Sequence, residues 1–170
     1  GLESTVLDIT ADPPVILRPG GVTSEQLKEV LGSVNTDPAI FSKDFKNTTP
    51  KSPGMKYKHY SPKAEVIIIK GKSGQVTGKI NKMVEELRLK GLKVGILATE
   101  QTKAAYSNAE IISAGDREHL ETIASNLFKA LREFDLRGVD VILAESVENS
   151  GIGLAIMNRL NKAAGYNIIE

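Results

Sequence analysis

The chain has 170 residues, of which 41% are hydrophobic and 25% are charged, and its net charge is +1. These values are typical of a globular protein with one full domain plus additional segments, and they exclude a polycation. No apolar run approaches the roughly 18 residues that a membrane-spanning helix needs, so none is expected. The chain contains no cysteine, which excludes disulfides, thiolate metal sites and a cysteine nucleophile and suits a cytoplasmic protein. Its two histidines are far apart in sequence, so no histidine-rich metal site is predicted.

The beginning of the chain predicts two strands and a helix. A strand is predicted over Glu3–Thr10, and a second one over Val15–Leu17 follows a turn that contains two prolines. Thr23 and Gln26 have the spacing of a capping box and predict the start of a helix, which Gly32 ends. A β-β-α piece of this size cannot bury a core of its own. We therefore expect it to pack on a domain body that lies outside this chain.

Three polar residues of this first piece have side chains suited to binding an anion. Ser4 and Thr5 offer hydroxyl groups, and Arg18 offers a forked cation beside a glycine-rich turn. These groups are reasonable ligands for a phosphate or a carboxylate. A Ser-Thr pair in a strand more often reflects β-propensity, so the residues alone leave both interpretations open.

Residues 33–63 show little hydrophobic periodicity and predict an interdomain linker. The second half, Ser52–Pro62, reads Ser-Pro-Gly-Met-Lys-Tyr-Lys-His-Tyr-Ser-Pro. Its prolines exclude a helix or an inner strand, whereas its hydroxyl, ammonium and imidazole groups are suited to gripping a phosphate or a nucleotide. Residues 43–63 also hold six lysines and one aspartate. This excess can meet phosphates, but an ordered connector or a solvated lysine-rich loop explains the same residues.

Strands and helices alternate over the rest of the chain. The predicted strands are Val66–Ile69, Val94–Ala98, Glu110–Ser113, Val139–Ala144 and Asn167–Ile169, and the predicted helices are Val76–Lys90, Glu118–Phe134 and Ile152–Ala164. Asp116 is the predicted cap of the second of these helices. Helices between apolar strands indicate a mostly parallel sheet covered on both faces. The sequence thus predicts a Rossmann-like, three-layer α/β domain over residues 64–170.

This α/β domain shows no acid–base pair and no nucleophile arrangement. Ligands of open α/β sheets bind at the carboxyl ends of the strands, which places Thr99–Thr102, Ser113–Asp116 and Glu145–Gly153 on one rim. The last of these loops precedes a helix N-terminus, which attracts anions, but its glutamates would oppose an anion, and a tight strand-to-helix connection is the favoured explanation. Asn158 and Arg159 lie inside the final helix and are candidates for contact with a partner domain.

Three stretches in order resemble a known family. Gly1–Asp8 together with Ile16–Thr23, then Ser52–Pro62, and finally Gly151–Ala164 resemble successive motifs of the two-domain threonylcarbamoyl-AMP synthases, the YrdC/YwlC family of tRNA-modification enzymes. They are similar to the end of the catalytic domain, the interdomain signature and the last helix of the C-terminal domain. The catalytic body of that family lies upstream of the first motif, and this chain begins at that motif.

The resemblance implies both a domain organisation and an activity. Residues 1–32 would be a remnant of the catalytic domain, residues 33–63 the linker and residues 64–170 the C-terminal domain. The parent enzyme would join L-threonine, bicarbonate and ATP into threonylcarbamoyl-AMP, with Mg²⁺ as the expected cofactor of the ATP. The product would supply the modification of adenosine 37 in tRNA through downstream tRNA-modification proteins. The fragment itself would be inactive and would act as a lid and regulatory domain.

The resemblance also implies roles for the polar residues. Ser4 and Thr5 would line the nucleotide and threonine site, and Arg18 would contact ATP. The linker of that family folds back over the nucleotide, so three linker residues would face the phosphates. These are Lys56, His59 and Tyr60. Tyr57 would stack or pack, and the sequence does not distinguish the roles of the two tyrosines.

Two other classes of function fit the residues without a synthase activity. A stand-alone nucleotide-binding α/β regulatory module predicts ATP binding by residues 64–170 alone. An RNA- or protein-docking domain, using the lysines of residues 43–63 to contact tRNA, predicts binding that weakens steeply with salt. The aromatic content of 5% and the absence of RNA-reading motifs argue against the second class.

Overall fold

The computed structural model describes residue 2, residues 4–41 and residues 61–170 of the chain. Its regular elements form two separate sheets, one with three strands and one with five. The three-stranded sheet and its helix comprise β1 (Val6–Asp8), β2 (Val15–Arg18), α1 (Ser24–Leu31) and β3 (Asn35–Thr36). The five-stranded sheet and its helices comprise β4 (Glu65–Ile69), α2 (Ser73–Leu89), β5 (Val94–Ala98), β6 (Glu110–Ser113), α3 (Leu120–Arg137), β7 (Val141–Glu145), α4 (Ile152–Ala163) and β8 (Ile168–Ile169).

The small sheet follows the predicted β-β-α order. Strand β1 is shorter than predicted and pairs antiparallel with β2, so that Val6 lies opposite Arg18. The capping box is present, because the Thr23 hydroxyl accepts from the Gln26 backbone and the Gln26 side chain accepts from the Thr23 backbone. Gly32 ends α1 with a φ of 76°, a left-handed conformation that favours glycine.

The beginning of the predicted linker contains regular structure. Strand β3 pairs parallel with β2, and Pro38–Ile40 forms a 3₁₀ turn whose cap is Asp37. The Asp37 carboxylate accepts from the backbone of Ala39, and Ile40 is buried. Residues 35–40 are therefore part of the small sheet's packing.

The five-stranded sheet is parallel throughout and has helices on both faces, as the sequence predicted. Helix α2 packs on one face, whereas α3 and α4 pack on the other. Across the sheet the order is β6-β5-β7-β4-β8. Because β7 lies between β4 and β5, this order differs from the usual dinucleotide-binding order, in which the first two strands are neighbours. Among the described residues, none of the helices combines the length and the hydropathy that a membrane span requires.

The predicted cap of α3 is wrong. The helix begins at Leu120 after His119, whereas Asp116 accepts hydrogen bonds from the Glu118 backbone and the Gln101 side chain. Asp116 thus closes a local turn, in which its short side chain competes with helix formation. Helix α2 begins at Ser73, three residues before the predicted start at Val76.

The small sheet docks on helix α4. A minor core of Ile16, Val34 and Ile40 has Leu154 of α4 packed against it. The sequence predicted packing on a body outside the chain, and the structure shows that α4 supplies part of that contact from within the chain. Helix α4 therefore contacts both sheets.

Candidate functional site

Three of the predicted site residues lie together at the edge of the small sheet. Arg18 donates from Nε and Nη2 to the backbone oxygen of Ser4, over 3.1 and 2.9 Å. The Thr5 hydroxyl donates to the backbone oxygen of Val22 over 2.6 Å. The antiparallel pairing of β1 and β2 is the cause of this grouping, because it sets the end of one strand beside the start of the other.

The geometry gives Arg18 a structural contact as well as a chemical capability. Its forked donors tie β2 to the segment before β1, and a guanidinium held in this way presents a fixed positive charge that can bind a phosphate. Ser4 is exposed and Thr5 and Arg18 are half-buried. The edge is therefore accessible to a ligand.

The other four predicted site residues lie outside the described residues. They are Lys56, Tyr57, His59 and Tyr60. Their assignment to the nucleotide phosphates stays a prediction.

The large sheet has a second candidate location at the carboxyl ends of β5 and β7. Strand β5 leads to β6 at one edge of the sheet, and β7 leads through α4 to β8 at the other edge. Neighbouring strands with connections in opposite directions mark the crevice where α/β sheets bind ligands. Thr99 follows β5 and Glu145 ends β7, as the predicted rim required.

A network of internal hydrogen bonds occupies this crevice. Glu145 is only 5% exposed. Its Oε1 accepts from Tyr106 over 2.6 Å and from Thr102 over 2.5 Å, and its Oε2 accepts from Thr99 over 3.2 Å and from Arg117 over 2.8 Å. Each carboxylate oxygen thus accepts two bonds, which satisfies a buried charge that would otherwise be costly.

The network ties elements together and leaves little space for a ligand. Burial, with the hydrogen bond to Glu145 as a second cause, raises the pKa of Tyr106, so this hydroxyl stays protonated at neutral pH and acts as a donor. The cavity beside Glu145 measures about 10 Å³, which is room for about one water molecule. We interpret this location as a structural junction between the loop after β5 and the end of β7.

Sequence reasoning identified only part of this junction. The strand-end rule placed Thr99–Thr102 and Glu145 on one rim, but it selected neither Tyr106 nor Arg117. Their donors come from loops that are distant in sequence from Glu145, so no local pattern connects them. A buried acidic residue at the end of an apolar strand was the available signal.

The final helix carries the third group of polar residues. Asn158 is 2% exposed and Arg159 is 7% exposed. Asn158 donates from Nδ2 to the backbone oxygen of Ile40, and Arg159 donates from Nη2 to the backbone oxygen of Pro19. The predicted contact of this pair with another part of the protein is therefore present, and it is made to the small sheet.

The described residues offer no metal centre of their own. No group of three or more His, Cys, Asp or Glu side chains within residues 4–41 and 61–170 is placed to hold a metal ion. The candidate edge formed by Ser4, Thr5 and Arg18 carries a cation and hydroxyl groups, which suit an anion and not a divalent cation.

Comparison with known proteins gives consistent matches along the chain. The family model described as the C-terminal domain of threonylcarbamoyl-AMP synthase matches residues 22–165. The curated threonylcarbamoyl-AMP synthase of Pyrococcus abyssi (strain GE5 / Orsay) is 48% identical over 170 residues, which are 100% of this chain and 48% of that protein. The synthase of Bacillus subtilis (strain 168) is 46% identical over 170 residues, which are 100% of this chain and 47% of that protein. The chain thus spans about half the length of these curated relatives.

Two solved structures are similar to this chain over different lengths. The crystal structure of P. abyssi Sua5 complexed with L-threonine has a TM-score of 0.89 at 48% identity and covers 99% of this chain, which spans 47% of that protein chain. The C-terminal Sua5 domain from Pyrococcus horikoshii has a TM-score of 0.52 at 46% identity. It covers 64% of this chain and is itself 97% covered.

Proposed function

Because this chain belongs to the C-terminal-domain family of threonylcarbamoyl-AMP synthases, we propose that it is part of an enzyme that makes threonylcarbamoyl-AMP. The observation that carries the proposal is the 48% identity, with a TM-score of 0.89, to the Sua5 protein whose structure contains L-threonine. The substrates are L-threonine, bicarbonate and ATP, and the product serves the modification of adenosine 37 in tRNA. We also propose that this takes place in the cytoplasm.

The reaction is a nucleotidyl transfer that follows an amine carboxylation. The threonine nitrogen attacks the carbon of bicarbonate, which gives a carbamate and releases water. A carbamate oxygen then attacks the α-phosphorus of ATP, and the bond to the departing pyrophosphate breaks. Positioning and neutralisation of phosphate charge are the main tasks of a protein in such chemistry.

Arg18 fits one of these tasks. Its guanidinium is fixed by two hydrogen bonds to the Ser4 carbonyl, beside the hydroxyls of Ser4 and Thr5. We propose that these three residues form half of the nucleotide and threonine site, with Lys56, Tyr57, His59 and Tyr60 on the linker. The described residues do not form a Mg²⁺ site, so we assign the ion no protein ligands here; Mg²⁺ commonly binds ATP phosphates directly.

We propose that the fragment is a lid and regulatory domain, divided into residues 1–32, a linker over residues 33–63 and residues 64–170. The start of the linker, up to Ile40, packs with the small sheet. Five of the eight large apolar side chains that are exposed among the described residues lie within residues 4–41. They are Ile9, Val22, Val30, Leu31 and Phe41. Such a concentration supports a further contact of this piece with the rest of a longer enzyme. The fragment alone would then lack activity.

The test of the proposed function is a product assay on the full-length protein. With ATP, L-threonine and bicarbonate, we expect threonylcarbamoyl-AMP in the mass spectrum and an equal amount of pyrophosphate. The 170-residue chain alone should form neither, and deletion of Ser52–Pro62 from the full-length protein should sharply reduce adenylation. Unchanged turnover in the deletion variant would exclude the lid role, and absence of product from the full-length protein would exclude the synthase.

The role of Arg18 has its own matched test. Arg18→Ala in the full-length enzyme should raise KM for ATP by about 10- to 100-fold, because one charged hydrogen-bonding partner of the phosphates is lost. Arg132→Ala is the control, since Arg132 is exposed on α3 and should leave KM unchanged. An equal effect of the two substitutions would remove Arg18 from the site.

A further inference from the structure

Helix α4 lies between the two sheets and uses different residues for each. Ile156 and Leu160 pack in the core of the large sheet. Leu154 packs against the core of the small sheet, and Asn158 and Arg159 bond to it. Leu154 and Asn158 are four residues apart and therefore lie on one side of the helix, and Arg159 follows Asn158 directly. One side of α4 is therefore dedicated to residues 4–41.

The contact of α4 with the small sheet is polar and directional. Asn158 Nδ2 lies 3.1 Å from the Ile40 oxygen, and Arg159 Nη2 lies 3.3 Å from the Pro19 oxygen. Arg159 Nη1 also donates to Asn158 Oδ1 over 2.7 Å, so the two side chains hold each other in place. A well-packed apolar pair can stabilise an interface equally well. Hydrogen bonds are also directional, so this polar contact is suited to fixing the position of two particular carbonyl groups, those of Ile40 and Pro19.

Both carbonyl groups belong to the unit that carries Arg18. Pro19 follows Arg18 directly, and Ile40 closes the turn after β3, which pairs with β2. The Asp37 backbone also donates to the Ile16 oxygen. The pair on α4 thus holds β2 at its carboxyl end and through the adjoining strand.

We propose that Asn158 and Arg159 are positioning residues for the synthase reaction, which fix β2 and thereby set the place of the Arg18 guanidinium. This inference rests on the proposed function, because Arg18 matters to catalysis only if it contacts ATP. A displacement of about 1 Å at a binding group is enough to lower catalysis by about 100-fold. The large sheet and its helices would thus set, through α4, the geometry of nucleotide-binding residues that lie in the small sheet and the segment before it.

The first test measures how firmly Asn158 and Arg159 hold β2, which we call the anchor, and it needs no activity assay. Asn158→Asp keeps the oxygen that accepts from Arg159 and removes the amide donor to the Ile40 oxygen. Arg159→Lys removes the forked guanidinium, which bonds to Asn158 and to the Pro19 oxygen at once. In the 170-residue chain, both variants should speed amide hydrogen exchange in β2, β3 and the turn after it, and leave β4 to β7 unchanged. Arg132→Lys on α3 is the control, since Arg132 is exposed, and it should leave the exchange of β2 unchanged. Unchanged exchange of β2 in Asn158→Asp and Arg159→Lys would overturn the proposal.

The second test separates positioning from loss of folded protein. In the full-length enzyme, Asn158→Asp should raise KM for ATP by about tenfold, which corresponds to one lost buried hydrogen bond. A variant that only unfolds more protein lowers kcat and leaves KM unchanged. In an Arg18→Ala background, Asn158→Asp should have no further effect on KM, because both substitutions act through the same group.

The outcomes distinguish the anchor from the proposed function. A raised KM that disappears in the Arg18→Ala background supports the positioning role. A normal KM with reduced kcat, or additive effects of the two substitutions, overturns it. If the unmodified full-length protein makes no threonylcarbamoyl-AMP, the proposed function fails, and the role in the synthase reaction fails with it, whereas faster exchange would still show that α4 anchors β2.

Discussion

Residues 61–170 bury their apolar side chains between a parallel sheet and helices on both faces, whereas residues 4–41 leave many of theirs at the surface. The large sheet has separate cores on its two faces. The minor core of the small sheet has three buried residues and takes part of its packing from α4. A region with so little buried area depends on its neighbours for stability. The first region is thus expected to set the stability of the chain, and the second to respond to its contacts.

The largest effect should come from the core of the large sheet. Phe134 is fully buried, and its ring lies against Gly95 of β5 so closely that a Cβ there would approach it to 2.7 Å. Phe134→Ala should lower the free energy of unfolding by about 3–5 kcal/mol, since it leaves a cavity. Denaturant unfolding measures this. Leu136→Ala on the same helix is the control: Leu136 is 83% exposed, and its change should stay within about 0.5 kcal/mol.

A truncation in the small sheet should have a large local effect and a small global one. Ile16 is 1% exposed, and Ile16→Ala should make local opening of residues 4–41 easier by about 2–5 kcal/mol. Amide exchange should accelerate there, while the unfolding midpoint of the large sheet stays the same. If exchange accelerates equally in β4 to β7, the two regions unfold as one cooperative unit and the contrast between them is wrong.

The smallest effect concerns the Glu145 network and depends on pH. The folded state raises the pKa of Tyr106 through burial and the bond to Glu145, whereas the unfolded tyrosine ionises near its ordinary value of 10.0. This interaction is therefore fully present below pH 10 and is lost as the pH rises further. Tyr106→Phe should cost about 1 kcal/mol at neutral pH, the typical contribution of one hydrogen bond.

Unfolding free energies measured from neutral pH to above pH 10 test this sign. The difference between the unmodified protein and Tyr106→Phe should shrink by at most about 1.4 kcal/mol for each pH unit above 10. Burial also raises the pKa of Tyr166, but this residue is present in both proteins and cancels. A difference that stays constant with pH would show that ionisation of Tyr106 does not contribute to the pH dependence of the unfolding free energy.

The elements of the large sheet could be predicted because their signals are local. The strand over Val94–Ala98 and the strand over Glu110–Ser113 were predicted with the observed bounds, since apolar runs between turns identify buried strands. Thr23 and Gln26 are similarly close in sequence, and their capping box is present. Local chemistry was sufficient in each case.

Strand pairings and side-chain contacts between residues that are distant in sequence could not be predicted. The insertion of β7 between β4 and β5 depends on which strands pair, and the pattern of a strand does not name its partner. The four donors around Glu145 come from residues up to 46 positions away, so the hydrogen bonds that satisfy its carboxylate form only in the folded chain. Asp116 is not the cap of α3, because its carboxylate accepts from the Glu118 backbone in a local turn and also from the side chain of the distant Gln101. The candidate edge at Arg18 was predicted from a family resemblance and not from the residues alone.

The burial of helix α4 limits the amino-acid substitutions that the chain can accept. Its buried residues run almost without a break, from Gly153 through Ala155 to Leu160, because one helix serves two cores. Ordinary surface helices keep one side on which substitutions are nearly neutral. A scan of all substitutions should therefore find α4 intolerant on nearly every side, whereas α2 and α3 tolerate changes on the side away from the sheet. Adaptation of the two regions to each other must pass through this helix, so changes there will depend on compensating changes in both sheets.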